Sequence, residues 1–276
     1  MVREHCRGVR VDGMSGSTRR DALGLAGAVA ALATAGRLPL LGAPAGLPVG
    51  LSPVQGFLRR HAPSGQASRG SSQEYAVLRW RATDPGTGET TNQEIGRLQL
   101  HVERQADQVV VNVMQTTRYS KPLNRLEAEI VCSPDPLLSL RSWKLDSTVE
   151  ERDDGRYTIS GRRDGDTVRI KDGMSERVFD VAGPLVSQWT LALATGGGPP
   201  PQTRCGLLED LLLYKPDQRL VAEATVEVPF LDGSHQLRCC SQRGPAVLPV
   251  HYFADARGRT QLVTQGALAW ALAESS

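Results

Sequence analysis

YTISGRRDGDTVRIKDGMSERVFDV, residues 157–181, decides the fold. Within it Tyr157 to Arg162 and Thr167 to Lys171 are short segments in which apolar and polar side chains take turns, and Arg177 to Val181 is a third strand-like segment. That period of two is the pattern of a half-buried strand. Asp164-Gly165 and Asp172-Gly173 separate the three segments. Asp-Gly is favoured in two-residue hairpins because a type I′ turn needs positive φ at both central positions. Parallel strands need a crossover of about a dozen residues or more, so turns this close together predict an antiparallel meander.

The same texture extends in both directions. Tyr75 to Trp80 alternates partly, and Leu98, Leu100 and Val102 alternate cleanly with Gln99, His101 and Glu103. Val109 to Met114 reads as a more fully buried strand, and Leu126 to Ile130 and Leu138 to Leu145 repeat the period of two. Asp154-Gly155 and Asp232-Gly233 add two more turn signals. After a break the β pattern resumes at Leu220 to Val228, Gln236 to Ser241 and Val247 to Ala254. Tyr252 to Thr264 reads as a hairpin turning at Asp255-Ala256-Arg257-Gly258, and Gly266 to Ala273 as a strand or short helix. The break itself looks helical. Pro184 suits a first helical turn, followed by Leu185, Gln188-Trp189, Leu191 and Leu193 at loose helical spacing. Gly196 to Pro201 is a loop, and Leu207, Leu208, Leu211 and Leu212 predict a second short amphipathic helix. Low aromatic content, 5%, with frequent Gly and Pro suits many short strands and turns. The expected fold is mainly β: a strongly curved antiparallel meander, half-barrel or barrel, capped by one or two short helices.

Ahead of the β region, Ser17-Thr18-Arg19-Arg20-Asp21-Ala22-Leu23 precedes the stretch Ala22 to Ala35, which has no ionisable side chain. These residues resemble a twin-arginine export signal, departing from its pattern at Asp21 and Ala22, where an apolar residue is usual second after the arginines. The apolar run falls well short of the roughly 20 residues of a membrane-spanning helix, so no permanent span is expected. Ala33-Thr34-Ala35 and Ala43-Pro44-Ala45 offer two cleavage sites, and Met14 an alternative start. The resemblance implies export in folded form through the twin-arginine translocase to the periplasm, envelope or medium. The expected organisation is a signal peptide over 1–45, a flexible linker over 46–72 and one β-rich domain over 73–276. A short helix around Val54 to His61 would interrupt the linker, and the domain would carry a helical insertion near 184–214.

The whole chain has a formal charge of +2, but loss of residues 1–45 leaves 26 basic against 27 acidic side chains, from 32 and 30 in full. A nucleic-acid binder would show a basic excess, so that class is set aside. Four cysteines remain, Cys132, Cys205, Cys239 and Cys240. In an oxidising compartment they permit two disulfides, with adjacent Cys239 and Cys240 on opposite faces of a strand; buried thiols are the alternative.

There is no G-x-S-x-G, H-E-x-x-H or phosphate-binding glycine loop. His235 and Cys239 would share one strand face, with His251 on a neighbouring strand, a weak metal candidate. Acidic groups at Glu150 to Asp154 and at Asp164 and Asp166 sit where hairpin turns need polar residues. Ser187 and Ser234 lack any nucleophile signature, although a dispersed triad is defined by geometry rather than spacing. The strand order, with the tract Val250-His251-Tyr252-Phe253-Ala254-Asp255-Ala256-Arg257-Gly258-Arg259, resembles uncharacterised β-rich domains of exported bacterial proteins. Those are similar to lipoprotein-carrier half-barrels, which implies a curved sheet around an apolar cavity with a helical lid. The leading expectation is a non-catalytic exported protein that binds an apolar small molecule or lipid, or scaffolds the envelope, without a cofactor. Trp80, Trp143, Trp189, Leu211 and Leu212 are the candidate pocket residues. The alternative is an exported hydrolase with a dispersed site near His251 and Asp255.

Overall fold

The computed structural model describes residues 51–62, 72–84, 89–119, 122–150, 155–173, 175–197 and 203–275. The export-signal reading of residues 1–45 lies outside them. Sixteen strands follow one another along the described chain. The first eight are β1 (Ser72–Asp84), β2 (Glu89–Arg104), β3 (Val109–Thr117), β4 (Asn124–Cys132), β5 (Leu140–Val149), β6 (Arg156–Asp164), β7 (Thr167–Asp172) and β8 (Ser175–Asp180). The second eight are β9 (Leu185–Val186), β10 (Thr203–Glu209), β11 (Leu213–Ala222), β12 (Val226–Phe230), β13 (Gly233–Arg243), β14 (Val250–Ala254), β15 (Thr260–Gln265) and β16 (Leu268–Ser275). Two short helices accompany them, α1 (Gln55–Leu58) and α2 (Gln188–Ala194).

The strands form one sheet in the order β8-β7-β6-β5-β4-β3-β2-β1-β16-β15-β14-β13-β11-β10-β9, with β12 continuing β11 along the same β13. All neighbours are antiparallel except the two-residue pairing of β9 with β10. The meander over 157–181 is therefore present as β6-β7-β8. Its first turn differs from a type I′ turn by one position. Asp164 ends β6 paired with Thr167, and the two-residue loop is Gly165-Asp166, with positive φ only at Gly165 (62°). A positive φ at the first central residue alone marks type II′, which glycine accommodates without strain.

The sheet curls but its ladder does not close: β8 and β9 are both free ends. Side chains bridge the gap instead. Trp143 on β5 donates its indole N–H to the Leu211 carbonyl in the β10–β11 turn at 3.1 Å. Phe179 on β8 stacks on Tyr214 of β11, 4.7 Å between centroids. The Arg163 guanidinium donates to the Val181 and Gly183 carbonyls. The inside of the curl is one apolar cluster that gathers Leu98 and Leu100, Val109, Val111 and Val113, Ile130, Leu145, Ile159 and Ile170 from the first half. Leu207, Leu220, Tyr252, Val263 and Leu272 join it from the second half. Strand alternation accounts for this set, since every second residue faces inward.

A second cluster lies on the opposite face, over β12–β16 and β1. Leu51, Val54 and Leu58 fall at i, i+3 and i+7, one side of a helical path. They pack on Leu78, Val228, Leu237, Phe253, Leu262 and Ala271. Four residues of α1 would not be helical alone, because nucleating a turn is costly; burying three apolar side chains at roughly 1.5–3 kcal/mol each holds them. His61 closes this strap, its Nε2 2.9 Å from the Leu272 carbonyl and its own carbonyl accepting from the Leu231 amide. Residues 51–62 of the expected linker are thus packed against the sheet, and its last residue, Ser72, begins β1.

The helical insertion is half of what the spacing predicts. α2 is present, with Ser187 as N-cap in a capping box with Thr190. The second predicted helix is instead strand β10 and a tight turn. Leu207 and Leu208 are successive buried residues beside a β-bulge, and Leu211 is buried by a turn with positive φ at Asp210 (50°) and Leu211 (55°). A bulge next to a turn reproduces the i, i+1, i+4, i+5 spacing of a helix face, which is why period alone misreads it. Gly266 to Ala273 resolves as the turn before β16 and most of that strand.

Candidate functional site

The five expected pocket residues fall in two apolar clusters on opposite faces of the sheet. Trp143, Trp189 and Leu211 are at most 4% exposed within the inner cluster, and half-buried Leu212 packs against it. Trp80 belongs to the other face, against the cluster under α1. The two best-formed concavities, of about 520 and 490 Å³, are elsewhere and are lined mainly by polar side chains.

The turn at Asp210 to Leu212 plugs the curl. Leu211 is fully buried, its carbonyl holds the Trp143 indole, and the Gln188 side chain makes two bonds to Asp210. Gln188 Nε2–H donates to Asp210 Oδ1 at 2.7 Å, and the Asp210 amide donates to Gln188 Oε1 at 3.1 Å. Asp210 keeps a surface open to water, yet the protein around the turn, with Glu209 beside it, pushes its carboxyl up to about 6; Gln188 and Lys215 pull the other way. Ser187 is fully buried and occupied in capping α2, accepting from the Thr190 amide at 3.1 Å.

The hydrolase and metal candidates lie on β13, on β14 and in the turn that follows β14. His235 sits 2.9 Å from Asp232 Oδ1 and edge-on to Phe230. Cys239 faces the cluster under α1, while Cys240 faces the inner cluster, as strand alternation requires. The four cysteines among the described residues are buried thiols, and burial pushes each up to about 12. Thiols so shifted are protonated and unreactive at neutral pH. His251 lies opposite Ser241 rather than Cys239, and no group of three metal-ligating side chains forms among the described residues.

Asp255 does not serve His251. Its Oδ1 accepts the Arg257 and Arg259 amides at 2.9 Å each, and its Oδ2 accepts Arg259 Nε and Gln261 Nε2 at 3.0 and 2.9 Å. Burial pushes the carboxyl up, but these bonds outweigh it and hold it below its ordinary value. Asp255 is the organiser of the β14–β15 turn. Two hydroxyl residues stand opposite His251 in register, Ser241 on β13 and Thr264 on β15; Ser241 is fully buried, donates to Glu223 and accepts from Arg243 Nε at 3.0 Å. Burial and the Arg243 charge lower the His251 pKa from its ordinary value. Across β15 the Thr264 hydroxyl is buried without a partner among the described residues.

Both concavities lie on sheet surface, and register builds them. In the larger, Arg204 on β10 stands opposite Arg219 on β11, which stands opposite Arg243 on β13. Asp217, Gly244 and Pro245 complete its lining. In the other, Arg162 on β6 faces Arg169 on β7, next to Ser160, Lys171 and Glu176. There the arginines are paired, Arg162 with Asp164 at 3.1 Å and Arg169 with Glu176 at 3.7 Å. Sequence reasoning missed both, because a balanced total charge conceals arginines that only strand pairing brings side by side.

No family model and no curated protein matches this chain. Two solved structures show a partial likeness to it. One is a β-barrel-like protein of the domain of unknown function DUF1849 from Brucella abortus, at 10% identity and a TM-score of 0.47, covering 73% of this chain and 93% of that one. The other is a DUF1089 family protein from Pseudomonas aeruginosa, at 14% identity and a TM-score of 0.36, with the same two coverages of 73% and 93%. On its own strands, this chain is mainly β over the described residues.

Proposed function

We propose that this chain is an exported, non-catalytic protein that scaffolds or binds a component of the cell envelope through the outer surface of its sheet. Export rests on the residues around Arg19 and Arg20. The observation that carries the surface reading is the filled curl. Trp143, Trp189 and Leu211 pack together inside it, α2 and the Asp210 to Leu212 turn close on them, and the two best-formed concavities among the described residues are outside, ringed by charged side chains. An apolar carrier needs the reverse, a concave apolar site with few polar groups. The non-catalytic reading draws support from the duties of the would-be catalytic groups. Asp255 is saturated by its own turn, Ser187 caps a helix, and Ser241 is buried against Glu223.

Native mass spectrometry of the exported protein, purified without detergent and compared with its denatured mass, tests the reading. The expected result is no stoichiometric apolar adduct. A lipid-sized mass released only on denaturation would overturn it and restore carriage.

A further inference from the structure

We infer that Arg204, Arg219 and Arg243 form a binding site for a phosphate monoester on the outer face of β10, β11 and β13. The inference deepens the surface reading and rests on it. The three arginines occupy one row across adjacent strands, each directly opposite the next. Directly opposed like charges weaken a sheet. Elsewhere this sheet relieves such opposition with acids: Arg162 and Arg169, also opposed, each have a carboxylate. In the row on β10, β11 and β13 only Arg243 has one, Glu223. Arg204 and Arg219 are exposed and have no carboxylate within salt-bridge distance among the described residues. Asp217 lines the same concavity without pairing to either.

Arg243 is held in place from two sides, by Glu223 and by the buried Ser241 hydroxyl, and so forms a fixed wall. The backbone at Gly244 forms the next part of the lining. A side chain there would meet the buried Gln218 amide at 2.5 Å. The concavity holds about 520 Å³, within the range of small-molecule sites.

The ligand class follows from donor geometry. A carboxylate carries a single charge on two oxygens in one plane, and one guanidinium fork already pairs both oxygens and balances that charge. Two forks on neighbouring strands, about 5 Å apart, need a group with more acceptor oxygens and a double charge. A phosphate monoester offers three terminal oxygens and about −1.5 to −2 charge at neutral pH, matching the two unpartnered arginines. The group can come from a soluble phosphorylated molecule or from a lipid headgroup.

Phenyl phosphate, titrated into the full chain by calorimetry with benzoate as comparator, tests the site. Phenyl phosphate is expected to bind at least tenfold tighter than benzoate. Arg219→Ala and Arg204→Ala are each expected to weaken it at least tenfold, and Arg219→Lys to weaken it less. Arg169→Ala, in the other basic concavity, is expected to leave it unchanged. These side chains are exposed, and an unchanged circular dichroism spectrum confirms that each variant folds. Absence of phenyl phosphate binding, equal binding of benzoate, or affinity unaffected by Arg219→Ala overturns the proposal while leaving the filled interior as it stands. Sedimentation with phosphatidylcholine vesicles containing phosphatidic acid, lost in Arg219→Ala, assigns the phosphate to a headgroup. Binding of phenyl phosphate without sedimentation assigns it to a soluble molecule.

Discussion

Gly161 to Ala is the sharpest test of how the curl is held shut. Gly161 on β6 stands directly opposite Trp143 on β5, and the indole lies across the space a side chain would fill. A Cβ at Gly161 would meet Trp143 Cζ2 at 2.2 Å, Cε2 at 2.3 Å and Nε1 at 2.7 Å, so the ring has to move. The ring is 4% exposed and packed within the inner apolar cluster. Overpacking a tight core costs about 1–3 kcal/mol. Moving the indole also takes its N–H from the Leu211 carbonyl, and leaving a buried acceptor unpaired costs about 1–3 kcal/mol more. The expected loss is about 2–6 kcal/mol, which for a domain of this size lowers the melting temperature by roughly 4–24 °C. Urea unfolding followed by tryptophan fluorescence reads it directly. In a Trp143→Phe background, where the ring is shorter, the same substitution is expected to cost less than half as much. A change below about 0.5 kcal/mol, or an equal cost in both backgrounds, would refute the reasoning.

Asp210→Asn keeps an oxygen for the Gln188 amide and suits the positive φ at that position, so it is expected to stabilise at neutral pH. Because the folded carboxyl is raised to about 6, the cost of its charge grows as pH rises from 4 to 6; the gain from Asn should therefore be largest above pH 6 and fade toward pH 4 in denaturation curves. For His251 the folded pKa is lowered, so the unfolded chain takes the proton first: stability is full above pH 6.5 and falls as pH drops through the folded value. His251→Gln should flatten that acid limb, and an unchanged slope would count against the burial assigned to the ring. Thr264→Val removes a buried hydroxyl that has no partner among the described residues, and is expected to raise stability by about 1 kcal/mol in urea titration.

Local signals carried most of the strands. Leu98, Leu100 and Val102 gave β2, and Val109 to Met114 gave β3, because alternation is written into consecutive residues. Leu207, Leu208, Leu211 and Leu212 misled because a bulge and a turn with two positive φ values imitate helical spacing. The strap at Leu51, Val54 and Leu58 reads as an interruption of a linker, since only the sheet beneath explains why it folds. Site residues were harder still. Trp143 and Trp189 are large and apolar whether they line a pocket or fill a core, and composition cannot tell the two apart. The arginine row is invisible before register is known, since Arg204, Arg219 and Arg243 belong to three separate strands.

The pairing of β1 with β16 joins the earliest strand described to the latest, in the middle of the sheet rather than at its rim. Considered as an order of events during synthesis, the meander from β1 to β8 needs only sequential neighbours and can assemble as it leaves the ribosome. Residues 72–84, however, keep one bare edge until residues 268–275 exist to cover it. Contacts of such long sequence separation form slowly. The waiting edge carries fully buried Tyr75, Val77 and Leu78, so a nascent chain halted before β16 exposes apolar surface at its own centre. Loss of that final strand would therefore act as a split between two half-sheets, and the window before it arrives is when a chaperone has most to protect.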